Sequence, residues 1–368
     1  MLIIDGLMKG NFSKIVPINW LDDLKEIRWL DNTKIPIETS YESTKDPNRL
    51  ALAIKRLEIR GAPVLGEAGA YGVALAINIA EGSPSEIISY TNKTAEMLAN
   101  TRPTAVNLSW GINHVLNEIN NAYKRGTNIN ELRELAIVIA KKVQFENIEA
   151  TYKIGEYGKS LIEDGDVIMT VCNAGVLACD GIGTATAPLR AAWADGKKFE
   201  VIATETRPLL QGSRLTAWEL NVDGIPTRVI TDNAAAHIME RNGVTKVFAG
   251  ADRILSNGVV YNKIGTFGLS ILAHYFKNIG FYVCAPTSTI DFKSKESDVK
   301  IEQRHESEVK VVMEKVKIAP DSVGAINPAF DRTPPNLVSS IITELGIAKY
   351  PYTESLSKLL LNPKNMGR

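Results

Sequence analysis

Five short apolar runs, rich in β-branched residues, recur through the second half of the chain, and stretches of helical character separate them. The runs are DVIMTV, FEVIAT, TRVI, KVFAG and FYVCAP. Strands this apolar must be covered on both faces, and a parallel connection between two of them needs a crossover helix. The pattern therefore predicts a Rossmann-like parallel sheet from about residue 164 to 345. In such sheets the ligand binds beyond the carboxyl ends of the strands, so the residues that follow each run are candidates for chemistry.

The first half of the chain has a different pattern. Residues 1 to about 45 mix short β-like runs with charges, and apolar residues then fall at helical spacing to about residue 163. A chain of 368 residues exceeds what one hydrophobic core usually organises. We therefore predict an α/β protein of two domains. Residues 1–145 form a mainly helical domain with a short β-like start, and residues 146–368 form the Rossmann-like domain.

The charge balance limits the classes of partner. Lys and Arg number 42, as do Asp and Glu, so the net charge is zero. This argues against nucleic acid or an anionic membrane as the main partner. No apolar run approaches the roughly 20 residues that cross a bilayer, and the start lacks the order of a signal peptide, which predicts a cytoplasmic protein. The cysteines form no CxxC pair and the histidines no HExxH motif, so we expect neither a disulfide framework nor a metal site.

Two reactive side chains follow predicted strands. Cys172 comes directly after DVIMTV and before a glycine-rich turn, a setting that can lower the pKa of a thiol and favour proton transfer or nucleophilic attack. Asp252 follows KVFAG, where apolar neighbours could raise the pKa of its carboxyl, as a general acid requires. Other interpretations stay open: Cys172 as a small buried hydrophobe, and Asp252 as a helix cap or the surface partner of Arg253.

The glycine-rich turn that follows Cys172 allows two interpretations. Gly181 and Gly183 could begin a dinucleotide site with Glu205 as the ribose-binding acid, but Thr186 stands where GxGxxG needs its third glycine. The amides at the following helix start could instead cradle a phosphate, which needs no third glycine. We therefore predict that the protein uses no cofactor.

Several polar side chains could bind an anion. Asn262 and Lys263 supply amide and ammonium donors, and the helix that opens at Gly265-Thr266 could add its amides. Arg60 and Arg102 each lie in a loop constrained by proline, and two such guanidinium groups can clamp a phosphate. Taken singly, each of these is also readily explained as a solvated or helix-end side chain.

Six segments in order resemble the methylthioribose-1-phosphate isomerase family, which is related to ribose-1,5-bisphosphate isomerases and to regulatory subunits of a eukaryotic initiation-factor exchange complex. The segments are IRGAPVLGEAGAYGVALA, TRPTAVNLSW, CNAGVLACDGIGTA, ETRPLLQGSRLTAWEL, GADRILSNGVVYNKIGT and NPAFDRTPPNLV. They span nearly the whole chain. The resemblance implies a small amino-terminal domain, a Rossmann-like carboxyl-terminal domain, a homodimer and a sugar phosphate as the small-molecule partner.

The resemblance also implies residue roles. Cys172 matches the catalytic cysteine of the family and Asp252 its catalytic aspartate. The substrate-binding positions are matched by Arg60, Gly61, Ala62, Arg102, Gln211, Asn262 and Lys263. Two departures lie nearby, since Val259 stands where the family usually has Asp and Asn32 where Gln is common. Neither departure removes a reacting group.

The reaction implied converts 5-methylthioribose 1-phosphate to 5-methylthioribulose 1-phosphate, a step of methionine salvage. The phosphate locks the sugar ring, so the C1–O bond must break before hydrogen moves from C2 to C1. We expect Asp252, protonated in an apolar pocket, to donate to the ring oxygen while Cys172 moves the proton. A hydride shift is the rival route. Other candidates are the same reaction on 5-deoxyribose 1-phosphate or ribose 1,5-bisphosphate, and a non-catalytic regulatory subunit that binds a sugar phosphate.

Overall fold

The computed structural model describes residues 14–103 and 105–361. They form two compact units. The helical unit comprises Lys14–Glu149 and Val176–Gly181, and the sheet unit comprises Ala150–Gly175 and the described chain from Ile182 onward. The predicted α/β class, with helices first and a large sheet after them, is confirmed. The predicted boundary at residues 145/146 lies in the same long helix as the division between the two units.

The helical unit begins with a small antiparallel sheet and continues as helices. The strands are β1 Ile18–Leu21, β2 Glu26–Leu30 and β3 Tyr41–Thr44. The helices are α1 Pro47–Lys55, α2 Ala62–Ile79, α3 Pro84–Ala99, α4 Val106–Lys124, α5 Ile129–Gly158 and α6 Val176–Cys179. Proline occupies the first turn of α1, α2 and α3, where its missing N–H loses no helical hydrogen bond. The first thirteen residues of the predicted β-like start lie outside the described residues.

Helix α2 lies in the core of the helical unit. Glycines let α4 approach its backbone, since a methyl group added at Gly111 would lie 2.0 Å from the carbonyl oxygen of Gly66. Its 18 residues are apolar enough and long enough to cross a membrane, judged by length and composition alone. From the sequence we had expected no apolar run near that length. However, 78% of this stretch is buried within the structure, as is typical of the core helix of a folded domain.

A carboxyl group interrupts this apolar helix. Glu67 is fully buried, and its Oε1 accepts a hydrogen bond from Asn147 Nδ2 at 2.5 Å. Burial raises the pKa of Glu67 well above its ordinary value, and the charge of Asp180 raises it further. Burial also raises the pKa of Asp180, which accepts a hydrogen bond from Gln144 Nε2 at 2.8 Å. The folded helical unit therefore holds protons that the unfolded chain releases.

Replacing Glu67 by glutamine is expected to flatten the pH dependence of stability. A raised folded-state pKa means that stability is full below the unfolded value and is lost as pH rises toward the folded one. Glu67→Gln keeps the side-chain size and removes that titration. Urea unfolding followed by circular dichroism should show a smaller fall in unfolding free energy between pH 6 and pH 9 than in the wild type. An unchanged fall would contradict the buried protonated carboxyl.

The sheet unit contains the remaining elements. Its strands are β4 Val167–Thr170, β5 Glu200–Thr204, β6 Thr227–Ile230, β7 Val244–Ala249, β8 Arg253–Leu255, β9 Val260–Lys263, β10 Gly280–Cys284, β11 Ile290–Asp291, β12 Val311–Val312, β13 Val316–Lys317, β14 Phe330–Thr333, β15 Ser340–Thr343 and β16 Gly346–Ala348. Its helices are α7 Ala187–Ala194, α8 Ala217–Val222, α9 Ala235–Arg241, α10 Thr266–Tyr275, α11 Ser307–Lys310 and α12 Tyr352–Leu361. Each of the five apolar runs forms a strand, namely β4, β5, β6, β7 and β10.

The large sheet has seven strands in the order β16-β15-β10-β7-β4-β5-β6. All neighbours are parallel except β16, which pairs antiparallel with β15 at one edge. The chain runs from β4 outward through β5 to β6 and then returns to place β7 on the other side of β4. The direction of winding therefore switches between β4 and β7. A crevice at the carboxyl ends of the strands on either side of such a switch is the usual ligand site of a parallel sheet.

A second sheet of four strands follows this switch, in the order β11-β8-β9-β14. Strands β8 and β9 form an antiparallel pair in which Arg253 lies opposite Tyr261. Strand β14 pairs antiparallel with β9, and Asp331 lies opposite Asn262. This sheet starts at the end of β7 and so brings further polar residues to the segment that contains Asp252.

Candidate active site

Cys172 lies just beyond β4 in a left-handed backbone conformation, with φ of +61°. Such a conformation costs a non-glycine residue about 1–2 kcal/mol, so other contacts must hold it. Its N–H donates to Thr206 Oγ1 at 2.8 Å, and its carbonyl accepts from Thr216 Oγ1 at 2.6 Å. Cys172 retains 8% of its surface exposed, whereas Cys284 is fully buried. The structure thus places Cys172, a largely buried residue, on a strained loop at the carboxyl edge of the sheet.

Asp252 follows β7, the strand that pairs with β4. The loops after these two strands are in contact, because a methyl group added at Gly250 would lie 2.6 Å from the Cβ of Ala174. Asp252 is exposed, so the predicted apolar pocket around its carboxyl is wrong for this structure. Water reaches the side chain because the apolar residues of β7 lie within the sheet, before the loop. The neighbouring Arg253 forms an ion pair with Asp291 at 3.4 Å.

Asn262 and Lys263 end strand β9 next to Asp252. The main-chain N–H of Asp252 donates to the carbonyl of Tyr261 at 3.0 Å, so the start of β8 lies beside the end of β9. Asn262 is buried, and its Nδ2 donates to Thr266 Oγ1 at 3.0 Å. The Nζ of Lys263 donates to the carbonyl of Ala329 at 3.1 Å. The end of β9, which carries Asn262 and Lys263, thus lies beside the backbone of Asp252. The predicted role of these two side chains in binding a phosphate stays a prediction.

The amides that open α10 are already bound by a carboxylate. Gly265 and Phe267 donate their N–H groups to the two oxygens of Asp331, at 2.7 and 3.1 Å. The prediction that these amides would hold a phosphate is therefore wrong, because Asp331 occupies them. Burial raises the pKa of Asp331 to about 6 despite these two hydrogen bonds. Asp331 was not predicted to have a role, although it lies in NPAFDRTPPNLV, one of the six segments that resemble the isomerase family.

The amides of the glycine-rich turn after Cys172 are also occupied. The N–H of Gly181 donates to Asp180 Oδ1 at 2.7 Å, that of Ile182 to Thr151 Oγ1 at 3.1 Å, and that of Thr184 to the Ala174 carbonyl at 2.9 Å. These three amides are therefore not free to cradle a phosphate. At the start of the following helix, the N–H of Ala187 also donates within the protein, to the Thr184 carbonyl at 3.1 Å. Gly183 has a packing role instead, since a methyl group there would lie 2.6 Å from the Cα of Gly175.

A buried charge cluster supports the loop that carries Cys172. Glu219 is fully buried, and a methyl group added at Gly175 would lie 1.3 Å from its Oε1. Arg190 Nη1 lies 3.7 Å from that oxygen, and Arg190 Nη2 lies 2.6 Å from Asp223 Oδ2. The loop can follow its path only because Gly175 has no side chain.

Substituting alanine for Gly175 is expected to destabilise the sheet unit by about 2–3 kcal/mol, because the new methyl group must displace a buried, paired carboxylate. Gly268→Ala is the matched control, since Gly268 lies exposed in α10 with no atom near an added methyl group. Alanine there should stabilise the protein by about 0.5–1 kcal/mol. Urea unfolding measures both changes. Equal effects of the two variants would refute the close packing at Gly175.

Gln211 lies after β5, the other neighbour of β4, and precedes the turn Gly212–Thr216. It is buried, and its Oε1 has no hydrogen-bond partner among the described residues. An unpaired buried polar atom costs about 1–3 kcal/mol. A ligand hydroxyl that donated to this oxygen would remove that cost. The unpaired oxygen is compatible with the predicted substrate-binding role of Gln211, which stays a prediction.

The other four predicted site residues belong to the helical unit. Arg60 precedes the N-cap residue Gly61, which has φ of +94°, and Ala62 begins α2. The Gly61 backbone packs against α6, where an added methyl group would lie 2.3 Å from the Cα of Ala178. Arg102 lies between α3 and α4. Both arginines are half-buried and precede helices that pack against each other.

The sequence pattern of the initiation factor 2 subunit family matches residues 58–350. The chain belongs to this family. A member from Methanocaldococcus jannaschii, provisionally named methylthioribose-1-phosphate isomerase, is 49% identical over 93% of this chain and 98% of its own length.

Two solved structures extend the comparison within the initiation factor 2 subunit family. The 5-methylthioribose 1-phosphate isomerase of Pyrococcus horikoshii has a TM-score of 0.88 and 36% identity, covering 95% of this chain and 96% of that one. The A. fulgidus structure described as translation initiation factor eIF-2B subunit delta has a TM-score of 0.85 and 44% identity, covering 94% and 99%. The predicted resemblance to the isomerases is therefore confirmed, and the initiation-factor description defines the main alternative.

Proposed function

We propose that this chain isomerises 5-methylthioribose 1-phosphate to 5-methylthioribulose 1-phosphate. One observation carries the proposal: a thiol and a carboxylate follow the two strands on either side of the topological switch of a parallel sheet, on loops that touch each other. This is the position at which such sheets bind ligands. The isomerases of the family give the reaction. A pure binding module needs no thiol beside a carboxylate at this edge.

The proposed reaction is an aldose-ketose isomerisation by proton transfer. Asp252 donates a proton to the ring oxygen, so the C1–O bond breaks and the ring opens. Cys172 removes the proton at C2, which forms an enol phosphate. A proton is then added at C1 while the C2 hydroxyl gives its proton to the Asp252 carboxylate, which yields the ketose. The substrate must cover Asp252 for this step, because the carboxyl is exposed in the structure. General acid-base steps of this kind contribute about 10²–10⁴-fold each to a rate.

The proposed binding residues supply groups that match a sugar phosphate. Gln211 Oε1 can accept from a sugar hydroxyl. Lys263 supplies an ammonium group from the end of β9, the strand whose Tyr261 carbonyl accepts the N–H of Asp252. Arg60 and Arg102 supply guanidinium groups suited to a phosphate. Cationic side chains offset the charge of a phosphate locally, so a chain of zero net charge can still bind this anion.

We also propose that the protein works without metal or organic cofactor, as a cytoplasmic homodimer with a Rossmann-like catalytic domain. The family resemblance supports the homodimer. The second candidate function is a non-catalytic regulatory subunit that binds a sugar phosphate, which the initiation-factor description of the A. fulgidus relative favours. Turnover separates the two functions, because a regulatory subunit would bind the sugar phosphate and leave it unchanged.

Phosphorus NMR of methylthioribose 1-phosphate with purified protein tests the proposal. The aldose phosphate resonance should give way to that of the ketose 1-phosphate. Parallel samples with 5-deoxyribose 1-phosphate and ribose 1,5-bisphosphate should turn over with lower kcat/KM. Faster conversion of either alternative would change the substrate assigned. Thermal stabilisation by all three sugars without any conversion would overturn the isomerase and favour the regulatory subunit.

A further inference from the structure

Both hydrogen-bonding groups of the Cys172 backbone are paired with threonine hydroxyls. The N–H donates to Thr206 Oγ1 at 2.8 Å, and Thr216 Oγ1 donates to the carbonyl at 2.6 Å. Beyond β4 the regular ladder with β5 has ended, since its last pair is Thr170 with Ala203. The conformation of Cys172 thus depends on two side chains that lie far from it in sequence.

The two hydroxyl groups are themselves fixed. Thr206 and Thr216 are each 1% exposed. Thr206 has φ of +61°, an outlier for a β-branched residue. The carboxylate of Asp232 holds it there by accepting the N–H groups of Thr206 and Arg207, at 2.8 and 2.7 Å. On the other side of the cysteine, Asn173 Nδ2 donates to Thr216 Oγ1 at 3.2 Å.

These contacts form one hydrogen-bond network that connects Asp232, Thr206, Cys172 and Thr216. A residue with positive φ returns to ordinary backbone angles unless its neighbours hold it. The direction of the Cys172 Cα–Cβ bond, and with it the position of Sγ, follows from that backbone angle. Cys172 differs in this from the other residues with positive φ in the described loops after β4, β7 and β10. Among these residues, only in Cys172 do side-chain hydroxyls bind both the N–H and the carbonyl group.

We propose that Thr206 and Thr216 are positioning residues for Cys172, and that their hydroxyls, rather than their size, aim the thiol at the reacting carbon. The proposal rests on the isomerase function proposed above. A misplacement of about 1 Å can cost a catalytic step about 100-fold. Both threonines make their hydrogen bonds to Cys172 through its backbone. We therefore expect them to act on turnover through the thiol and to leave substrate binding largely unaffected.

The test compares valine and serine at each position. Thr206→Val and Thr216→Val keep the shape and remove the hydroxyl, and each should lower kcat about 10- to 100-fold with KM little changed. Thr206→Ser and Thr216→Ser keep the hydroxyl and should restore kcat. Thr91→Val is the matched control, because Thr91 is buried and donates to the Ile87 carbonyl at 2.9 Å in α3, within the helical unit. It should leave kcat unchanged.

A second measurement does not require turnover. Iodoacetamide labelling of Cys172, followed by mass spectrometry, should proceed at a different rate in the valine variants and at the wild-type rate in the serine variants. Unchanged labelling and kcat in both valine variants would overturn the positioning role. If a valine variant does not fold, the alanine variant at that position takes its place. An active Cys172→Ser enzyme would refute the proposed chemistry instead, and the labelling rates would still decide whether the threonines position the thiol.

Discussion

Cys172→Ser is expected to lower kcat by at least about 10³-fold while substrate still binds with near wild-type affinity. A serine hydroxyl is a far weaker acid than a thiol, so it does not provide the anionic base that removes the C2 proton. The substitution shortens the side chain slightly and leaves the backbone hydrogen bonds to Thr206 and Thr216 available. Turnover followed by phosphorus NMR and affinity measured by calorimetry separate the two effects.

Cys284→Ser is the matched control for this variant. Cys284 is a free, buried thiol at the carboxyl end of β10, in the same sheet. Burial raises the pKa of its thiol far above the ordinary value, so it is not expected to react. This control should keep kcat. Loss of turnover in both variants to the same extent would point to the sheet packing rather than to the chemistry of Cys172.

Asp252→Asn is expected to lower kcat by about 10²–10⁴-fold, because the amide cannot donate a proton to the ring oxygen. The variant keeps the size of the side chain and the main-chain hydrogen bond to Tyr261. Since Asp252 is exposed, unfolding free energy should change little, which distinguishes a catalytic loss from a structural one.

Asp23→Asn controls for the loss of one exposed carboxylate, because Asp23 is exposed in the helical unit between β1 and β2. It should leave both kcat and KM unchanged. Retained turnover in Asp252→Asn would remove the carboxyl from the proton-transfer scheme and leave ring opening to another group.

Much of the large sheet was predictable because four of its inner strands, β4, β5, β7 and β10, appear in the sequence as apolar runs. Burial on both faces demands such continuous apolar residues. The fifth predicted run forms the edge strand β6, in which Arg228 and Val229 are exposed, so its β-branched residues rather than burial marked it as a strand. Strands β8 and β14 were not predicted. Each is short, and the segment FDRT of β14 is polar, so pairing with distant strands rather than local pattern determines it.

Only the residues of the candidate site that directly follow predicted strands could be found from the sequence. Cys172 and Asp252 could be placed at one edge because parallel strands share their direction. The hydrogen bonds that hold the Cys172 backbone could not be predicted, because Thr206 and Thr216 lie 34 and 44 residues away in sequence. The hydrogen bonds from the first amides of α10 to Asp331 were missed for the same reason. The segment around Gly265 and the segment around Asp331 are distant in sequence and are brought together by the pairing of β9 with β14.

Proton NMR of the ketose formed in deuterium oxide tests proton transfer by Cys172 and Asp252 most directly. The C2 proton passes to the thiol of Cys172, where it can exchange with solvent before a proton is added at C1. We therefore predict deuterium at C1 of the product from the wild-type enzyme. Complete absence of deuterium at C1 during full conversion would contradict proton transfer through a thiol that exchanges with solvent, and would favour the hydride shift.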